Sequence, residues 1–232
     1  MKDTMSILDI PTKWKTVSYP DKSIGSAKIS HIRYHEGYYM MEGVDGFLLY
    51  RVNTRGIPVT VLSIDGNEVM VDDPMHWLGM QRLAEHSSGN VLVCGLGLGL
   101  IVHHLCNNKN VARIDVAELN KDVISLVKPL LPRDSRVNVF HMDASSDVLL
   151  RKGYDTVIID LLVKEGDDVV LAGSSADPSM VYVIKKRFEI ENPDAKVFIW
   201  GIRDPYVNPA VTHVDEKVYA SIVEMIEGRR IL

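Results

Sequence analysis

Residues 90–118 read N-V-L-V-C-G-L-G-L-G-L-I-V-H-H-L-C-N-N-K-N-V-A-R-I-D-V-A-E. An apolar run, Val91 to Val93, meets glycines at alternate positions, Gly95, Gly97 and Gly99. An amphipathic stretch follows, then a second apolar run that ends on Glu118. The order is strand, Gly-rich turn, helix, strand, acid. Glycine reaches positive φ and lets the backbone come close to a ligand. The helix start behind the turn offers N–H groups without helical partners. Glu118 lies 19 residues after Gly99, near the roughly 20 expected of an acid that accepts hydrogen bonds from ribose hydroxyls. Asp115, three residues earlier, points to the opposite face of the strand. The unit reads as the nucleoside-binding half of an α/β domain. Two plainer readings stand beside it: a ligand-free tight turn, and a solvated strand-end acid.

Outward from this unit the alternation continues. Val91 to Cys94 is a first strand, with Leu98 to Cys106 as its helix. Ala112 to Ala117 is a second strand. Asn120 caps a helix to about Leu130, and Pro132 stops it. Arg136 to His141 is a third strand, Ala144 to Lys152 a short helix, and Thr156 to Ile159 a fourth strand closed by Asp160. A polar loop, Lys164 to Pro178, precedes a helix at Met180 to Glu189 and a fifth strand at Lys196 to Trp200. Arg203 to Pro209 is loop, and Asp215 to Glu227 a terminal helix. Continuous apolar strands are those buried on both faces of a parallel sheet. Right-handed crossovers then give a Rossmann-like, doubly wound, mostly parallel sheet with its ligand at the carboxyl ends of the strands.

Upstream, residues 1–25 are irregular, broken by Pro11, Pro20 and Gly25. About five strands follow, expected to be antiparallel. They include Ala27 to Tyr34 and hairpins around Gly43-Val44-Asp45-Gly46 and Asp65-Gly66-Asn67. Asp73 and Pro74 suit the N-cap and first position of a helix over Met75 to Glu85. The expected organisation is an N-terminal β-rich region, 1–73, and a Rossmann-like domain, 74–232.

The chain has 232 residues and a net charge of −5, which gives no electrostatic case for a nucleic-acid partner. No run approaches the roughly 20 apolar residues of a membrane span. Residues 1–16 show no apolar signal-type core. The two cysteines, Cys94 and Cys106, read as small buried apolar groups, consistent with a reducing cytoplasm. The expected partner is a small molecule, and the N-terminal β region offers a surface for a homodimer.

Two further acids stand at strand ends. Asp143, in F-H-M-D-A-S, can accept from an adenine amino group while the Ala144 N–H donates to the ring. It can equally cap the following helix, and both roles can coexist. Asp160, in Y-D-T-V-I-I-D-L-L, faces the reacting end of a ligand in this architecture, or is a polar strand terminus. His103 and His104 are adjacent on a helix, about 100° apart, and make a poor metal pair; no metal site is expected. Trp77 reads as a core or lid aromatic, with the crevice wall as its alternative. The G-x-G-x-G spacing departs from the dinucleotide G-x-G-x-x-G and is the commoner form in proteins that bind S-adenosylmethionine.

The blocks V-L-V-C-G-L-G-L-G, V-A-E-L-N, M-D-A and Y-D-T-V-I-I-D, in this order, resemble the class I S-adenosylmethionine-dependent methyltransferases, and among them the spermidine synthase-like branch. The resemblance covers roughly Leu62 to Leu161. It implies S-adenosylmethionine as cofactor, with Gly95, Leu96, Gly97 and Gly99 at its methionine portion. It further implies Glu118 at the ribose, Asp143 and Ala144 at the adenine, Leu119 among the cofactor-binding residues, and Asp160 as the catalytic-end acid that also contacts the cofactor. Spermidine synthases carry an acid inside the glycine loop and a second acid after the fourth strand. Here those places hold Leu96 and Leu98, and Leu161-Leu162-Val163-Lys164. The branch's final antiparallel strand pair has no counterpart visible in the sequence. The expected function is methyl transfer to an unknown acceptor. The alternatives are a spermidine synthase-like aminopropyltransferase and a non-catalytic Rossmann-like binding protein.

Overall fold

A computed structural model describes residues 6–9, 17–43, 46–52, 56–150, 153–165, 168–171, 179–200 and 211–214. The chain begins with strands β1 (Ser6–Asp9), β2 (Lys22–Ile24), β3 (Ala27–Tyr34), β4 (Gly37–Gly43), β5 (Gly46–Val52), β6 (Ile57–Ile64) and β7 (Asn67–Asp72). Helix α1 (Pro74–Glu85), strand β8 (Gly89–Cys94), helix α2 (Leu100–Asn107) and strand β9 (Val111–Glu118) follow. Next come α3 (Lys121–Val127) with a 3-10 turn at Lys128–Leu130, β10 (Val137–His141), α4 (Asp147–Leu150) and β11 (Thr156–Ile159). The described elements end with β12 (Leu162–Glu165), β13 (Asp168–Leu171), α5 (Ser179–Glu191), β14 (Lys196–Ile199) and β15 (Val211–Val214).

The central sheet has the order β10-β9-β8-β11-β14, and all its pairings are parallel. The order reverses at β8, between β9 and β11, which is where a doubly wound sheet opens its ligand crevice. The α/β, Rossmann-like expectation is met. Strand β8 shows why its sequence is apolar throughout. Val91 and Val93 join the core beneath α1, α2 and α3, while Leu92 and Cys94 join the core against α4 and α5. Strand β11 divides in the same way, Ile158 to one core and Val157 and Ile159 to the other. Both cysteines are free thiols.

Local signals behave as their chemistry requires. Asp73 Oδ1 accepts from the backbone N–H of His76 at 2.8 Å, the cap contact to the third helical residue. Asn120 caps α3 by accepting from the N–H groups of Asp122 and Val123. Asp65 and Gly66 both take positive φ, 51° and 84°, as a two-residue hairpin joining twisted strands needs.

Several expectations are corrected. Residues 1–25 hold β1 and β2 rather than irregular chain alone. The five strands expected between residues 27 and 73 are β3 to β7, and every pairing among them is antiparallel as expected; β1, upstream of that stretch, pairs parallel with β5. With β15 added from far downstream, the seven upstream strands form two four-stranded sheets among the described residues, β2-β3-β6-β7 and β1-β5-β4-β15. The stretch expected as a polar loop contains the β12–β13 hairpin, Leu162 opposite Leu171; its acids disguise a short alternation. Strand β15 pairs antiparallel with β4, a partner about 170 positions away that no local pattern announces. Helix α2 starts two residues later than expected, because Gly99 takes φ 75° as its left-handed N-cap. Helix α4 is one turn, shortened by the polar turn at Asp143–Ser145. The segments expected as Arg203–Pro209 loop and Asp215–Glu227 helix lie outside the described residues. Among the described residues no helix is long and apolar enough to cross a membrane.

Candidate functional site

A cavity of about 920 Å³ lies at the carboxyl edge of the central sheet. Gly95 and Gly97 line it from the turn after β8, Glu118 and Leu119 from the end of β9, and Asp143 and Ala144 from the turn after β10. Asp160 and Leu161 line it from the end of β11, and Trp200 from the end of β14. Leu62, Met70 and His76 close one side, Val183, Ile184 and Arg187 of α5 the other.

The three glycines do different work. A Cβ on Gly95 would fall on the carbonyl oxygen of Asp160, and its φ is 99°. One on Gly97, φ 49°, would meet the Met70 sulfur, which accepts the Leu98 N–H at 3.1 Å. The two glycines let the turn pack against Asp160 and Met70, and both line the cavity with backbone. Gly99 does not line it. A Cβ there would strike the Leu131 side chain, so Gly99 brings the turn against the segment that follows α3. Leu96, 2 % exposed, packs into the core and reaches the site through its backbone N–H alone. Tyr19 ties the turn to the N-terminal region by donating to the Leu98 carbonyl at 2.6 Å.

Glu118 is held in place by that turn. Its Oε2 accepts the Leu96 N–H at 2.8 Å and its Oε1 the Asn120 N–H at 2.7 Å. A carboxylate has about four lone-pair sites, so two remain for a ligand. Leu119 is 66 % exposed, and its carbonyl lies 2.9 Å from Nε2 of His141. Asp143 Oδ1 accepts from the N–H and Oγ–H of Ser145, both at 2.7 Å, and these two bonds hold its carboxyl below the usual range. Its Oδ2 remains for a ligand, so the turn role and a ligand role coexist geometrically. Asp115 is 2 % exposed and bonds to Tyr154 Oη and Asn138 Nδ2, away from the cavity as the strand period requires.

Around Asp160 the charges are dense. Burial pushes its carboxyl up to about 6, opposed by His76 and reinforced by Glu118. His76 Nδ1 lies 3.1 Å from Asp73 Oδ1, and Tyr34 Oη donates to Asp73 Oδ2 at 3.1 Å. Burial works against the imidazolium, but Asp73, Asp160 and Asp72 outweigh it and raise the His76 pKa. Asp73, despite burial, is held below the carboxylate range chiefly by His76. Asp72, fully buried, is pushed up to about 8 by burial and by the Asp73 charge.

A stability prediction follows from Asp72. Its folded pKa lies above the unfolded value, so its contribution is fully present below about pH 4 and lost as pH rises toward 8. Asp72→Asn is therefore expected to match the wild type near pH 4 and to exceed it progressively up to pH 8, by on the order of a few kcal/mol. Thermal melts of both proteins across that window check it; a constant difference would contradict it.

Sequence reasoning missed Met70, His76, Met142, Arg187 and Trp200 as cavity residues. His76 carried a local signal, the i, i+3 spacing from Asp73; the others converge only through tertiary packing. Trp77 packs on His104 with ring centroids 4.3 Å apart and against the core, the core role expected of it rather than the crevice wall. Its neighbour His76, turned about 100° round the helix, reaches the cavity. Among the described residues no His, Cys, Asp and Glu group is arranged to hold a metal ion.

No protein-family model matches the chain, and no curated protein matches it. Solved structures do. Spermidine synthase from Thermotoga maritima is 16% identical with a TM-score of 0.35, over 55% of this chain and 56% of that one. The precorrin 8W decarboxylase of Methanobacterium thermoautotrophicum is 14% identical with a TM-score of 0.38, over 66% and 69%. A spermidine synthase in complex with the transition state analogue AdoDATO is 14% identical with a TM-score of 0.36, over 55% and 54%. The chain spans just over half the length of the spermidine synthases it matches. The fold assignment itself rests on the strand order and the two-sided core. The chain is a Rossmann-like α/β protein with its cavity at the carboxyl edge of the sheet.

Proposed function

We propose that the chain binds S-adenosylmethionine in this cavity and transfers its methyl group to a small acceptor. The observation that carries the reading is convergence. The bare backbone of Gly95 and Gly97, the carboxylates of Glu118, Asp143 and Asp160, and the Ala144 turn all meet in one space. Gly95 and Gly97 line the cavity with backbone alone, and Glu118 and Asp143 keep acceptor sites beyond their own turn bonds, so the residues fit a nucleoside lying against the turn. Glu118 would hold the ribose hydroxyls, Asp143 and Ala144 the adenine, and the glycine turn the methionine portion. Asp160 would stand at the reacting end. About 920 Å³ lies toward the upper end of the roughly 300–1,000 Å³ of ligand pockets, which leaves room for an acceptor beside the nucleoside.

When bound, the sulfonium supplies an electrophilic methyl carbon and a ready thioether leaving group. The protein then has to align the two partners and exclude water, and alignment alone can supply roughly 7–11 kcal/mol. Leu161 and Leu162 wall the cavity beyond Asp160. An apolar wall there favours methyl transfer over transfer to a polyamine, whose ammonium group needs carboxylates.

Titration calorimetry with S-adenosylmethionine and S-adenosylhomocysteine is expected to show one site for each. No heat at millimolar ligand, with folded protein, would remove the reading. Methylthioadenosine formed from decarboxylated S-adenosylmethionine and putrescine would replace methyl transfer with aminopropyl transfer.

A further inference from the structure

We propose that His76, oriented by Asp73, is the general base of the reaction, and that the acceptor is a planar, apolar molecule carrying one weakly acidic hydroxyl. This inference rests on the methyl-donor reading above and names its acceptor side. Asp73 Oδ1 accepts the His76 backbone N–H at 2.8 Å and lies 3.1 Å from Nδ1 of the same residue. One carboxylate oxygen therefore caps α1 and fixes the imidazole. Asp73 is in turn held by Tyr34 Oη at 3.1 Å. With Nδ1 on a carboxylate, Nε2 is the ring nitrogen that can take a proton at the cavity, the arrangement of a base oriented by a third group.

The walls near His76 define what it serves. The Trp200 ring centroid lies 5.6 Å from that of His76, at 44°. Leu161, Leu162 and Ile184 line the same cavity. These walls suit a flat apolar body, with the carboxylates of Glu118, Asp143 and Asp160 left to the donor. In the step itself the hydroxyl oxygen's lone pair forms the bond to the methyl carbon. The carbon–sulfur bond breaks with its electron pair going to sulfur. The hydroxyl proton passes to Nε2 of His76 and then to solvent. The acids facing His76 are Asp73, Asp72 and Asp160, and together they stabilise the imidazolium so formed.

The test uses the full chain saturated with S-adenosylhomocysteine and 4-nitrophenol as the acceptor probe. Its ionisation is read by absorbance and the His76 imidazole by NMR. In the wild type the bound probe is expected to ionise at least about one pH unit below its free value. His76→Asn should abolish that shift while S-adenosylhomocysteine affinity, by calorimetry, stays within about twofold. Asp73→Asn should lower the imidazole titration midpoint and shrink the probe shift, which a merely structural Asp73 would not do. Probe bound without a shift, no probe binding at millimolar concentration, or a shift that survives in His76→Asn would each overturn the proposal. If S-adenosylhomocysteine binds and only the probe fails, the base assignment falls alone. If S-adenosylhomocysteine itself does not bind, the donor-site reading falls first and takes this one with it.

Discussion

Glu118→Ala is expected to weaken S-adenosylhomocysteine binding by at least about 100-fold, with the fold retained. Hydrogen bonds to a charged group contribute roughly 1.5–3 kcal/mol each, and two ribose hydroxyls would lose theirs together. The side chain is pre-positioned by the Leu96 and Asn120 N–H groups at 2.8 and 2.7 Å, so the ligand does not have to order it. The substitution also strips those two N–H groups of their acceptor at the edge of a cavity, where water can replace it. Calorimetry measures the affinity, and far-UV circular dichroism with a thermal melt checks the fold. Unchanged affinity in a folded variant would move the ribose site elsewhere.

Gly95→Ala is expected to be the most damaging single substitution in the glycine turn. Its φ of 99° is one that a residue with a side chain rarely adopts. The added Cβ would also fall on the backbone oxygen of Asp160, which no side-chain rotation relieves. That oxygen belongs to the end of β11, whose neighbouring backbone is bonded to β8 by the Asp160 N–H to the Cys94 carbonyl at 2.8 Å. Relief requires parting the two central strands at the crevice. A loss of about 3 kcal/mol or more and no detectable nucleoside binding are expected. Gly66→Ala is the control. Its φ is also positive, 84°, but nothing lies within contact of its Cβ, so only backbone strain of about 1 kcal/mol applies. Urea denaturation of the two variants compares them, and equal losses would show that the contact with Asp160 is not the cause.

Much of the central sheet was legible because its signals are local. Val91 to Cys94 is apolar at every position since both faces of β8 are covered, and the caps at Asp73 and Asn120 act within three residues of themselves. Glu118, Asp143 and Asp160 could be placed at strand ends because each directly follows, or closes, an apolar run. Pairing was less legible. Strands β1 and β15 find partners far along the chain, and four-residue strands carry too little alternation to declare themselves. The acids of the β12–β13 hairpin hid it inside what reads as a solvated loop. The His76 and Trp200 side of the cavity was the least legible. His76 and Trp200 lie more than a hundred positions apart, and only the packing of α1 against the end of β14 brings their rings together. Gly79 records that packing, since a Cβ there would meet the Trp200 indole.

If the cavity is a nucleoside site, the nucleoside lies at the switch point of the sheet. A crystal structure grown with saturating S-adenosylhomocysteine tests it most directly. Ribose hydroxyls are expected within hydrogen-bond distance of the Glu118 carboxylate, adenine at Asp143 and Ala144, and the sulfur beside Asp160. Density for the ligand away from Glu118, or a cavity holding only water at saturating ligand, would contradict it.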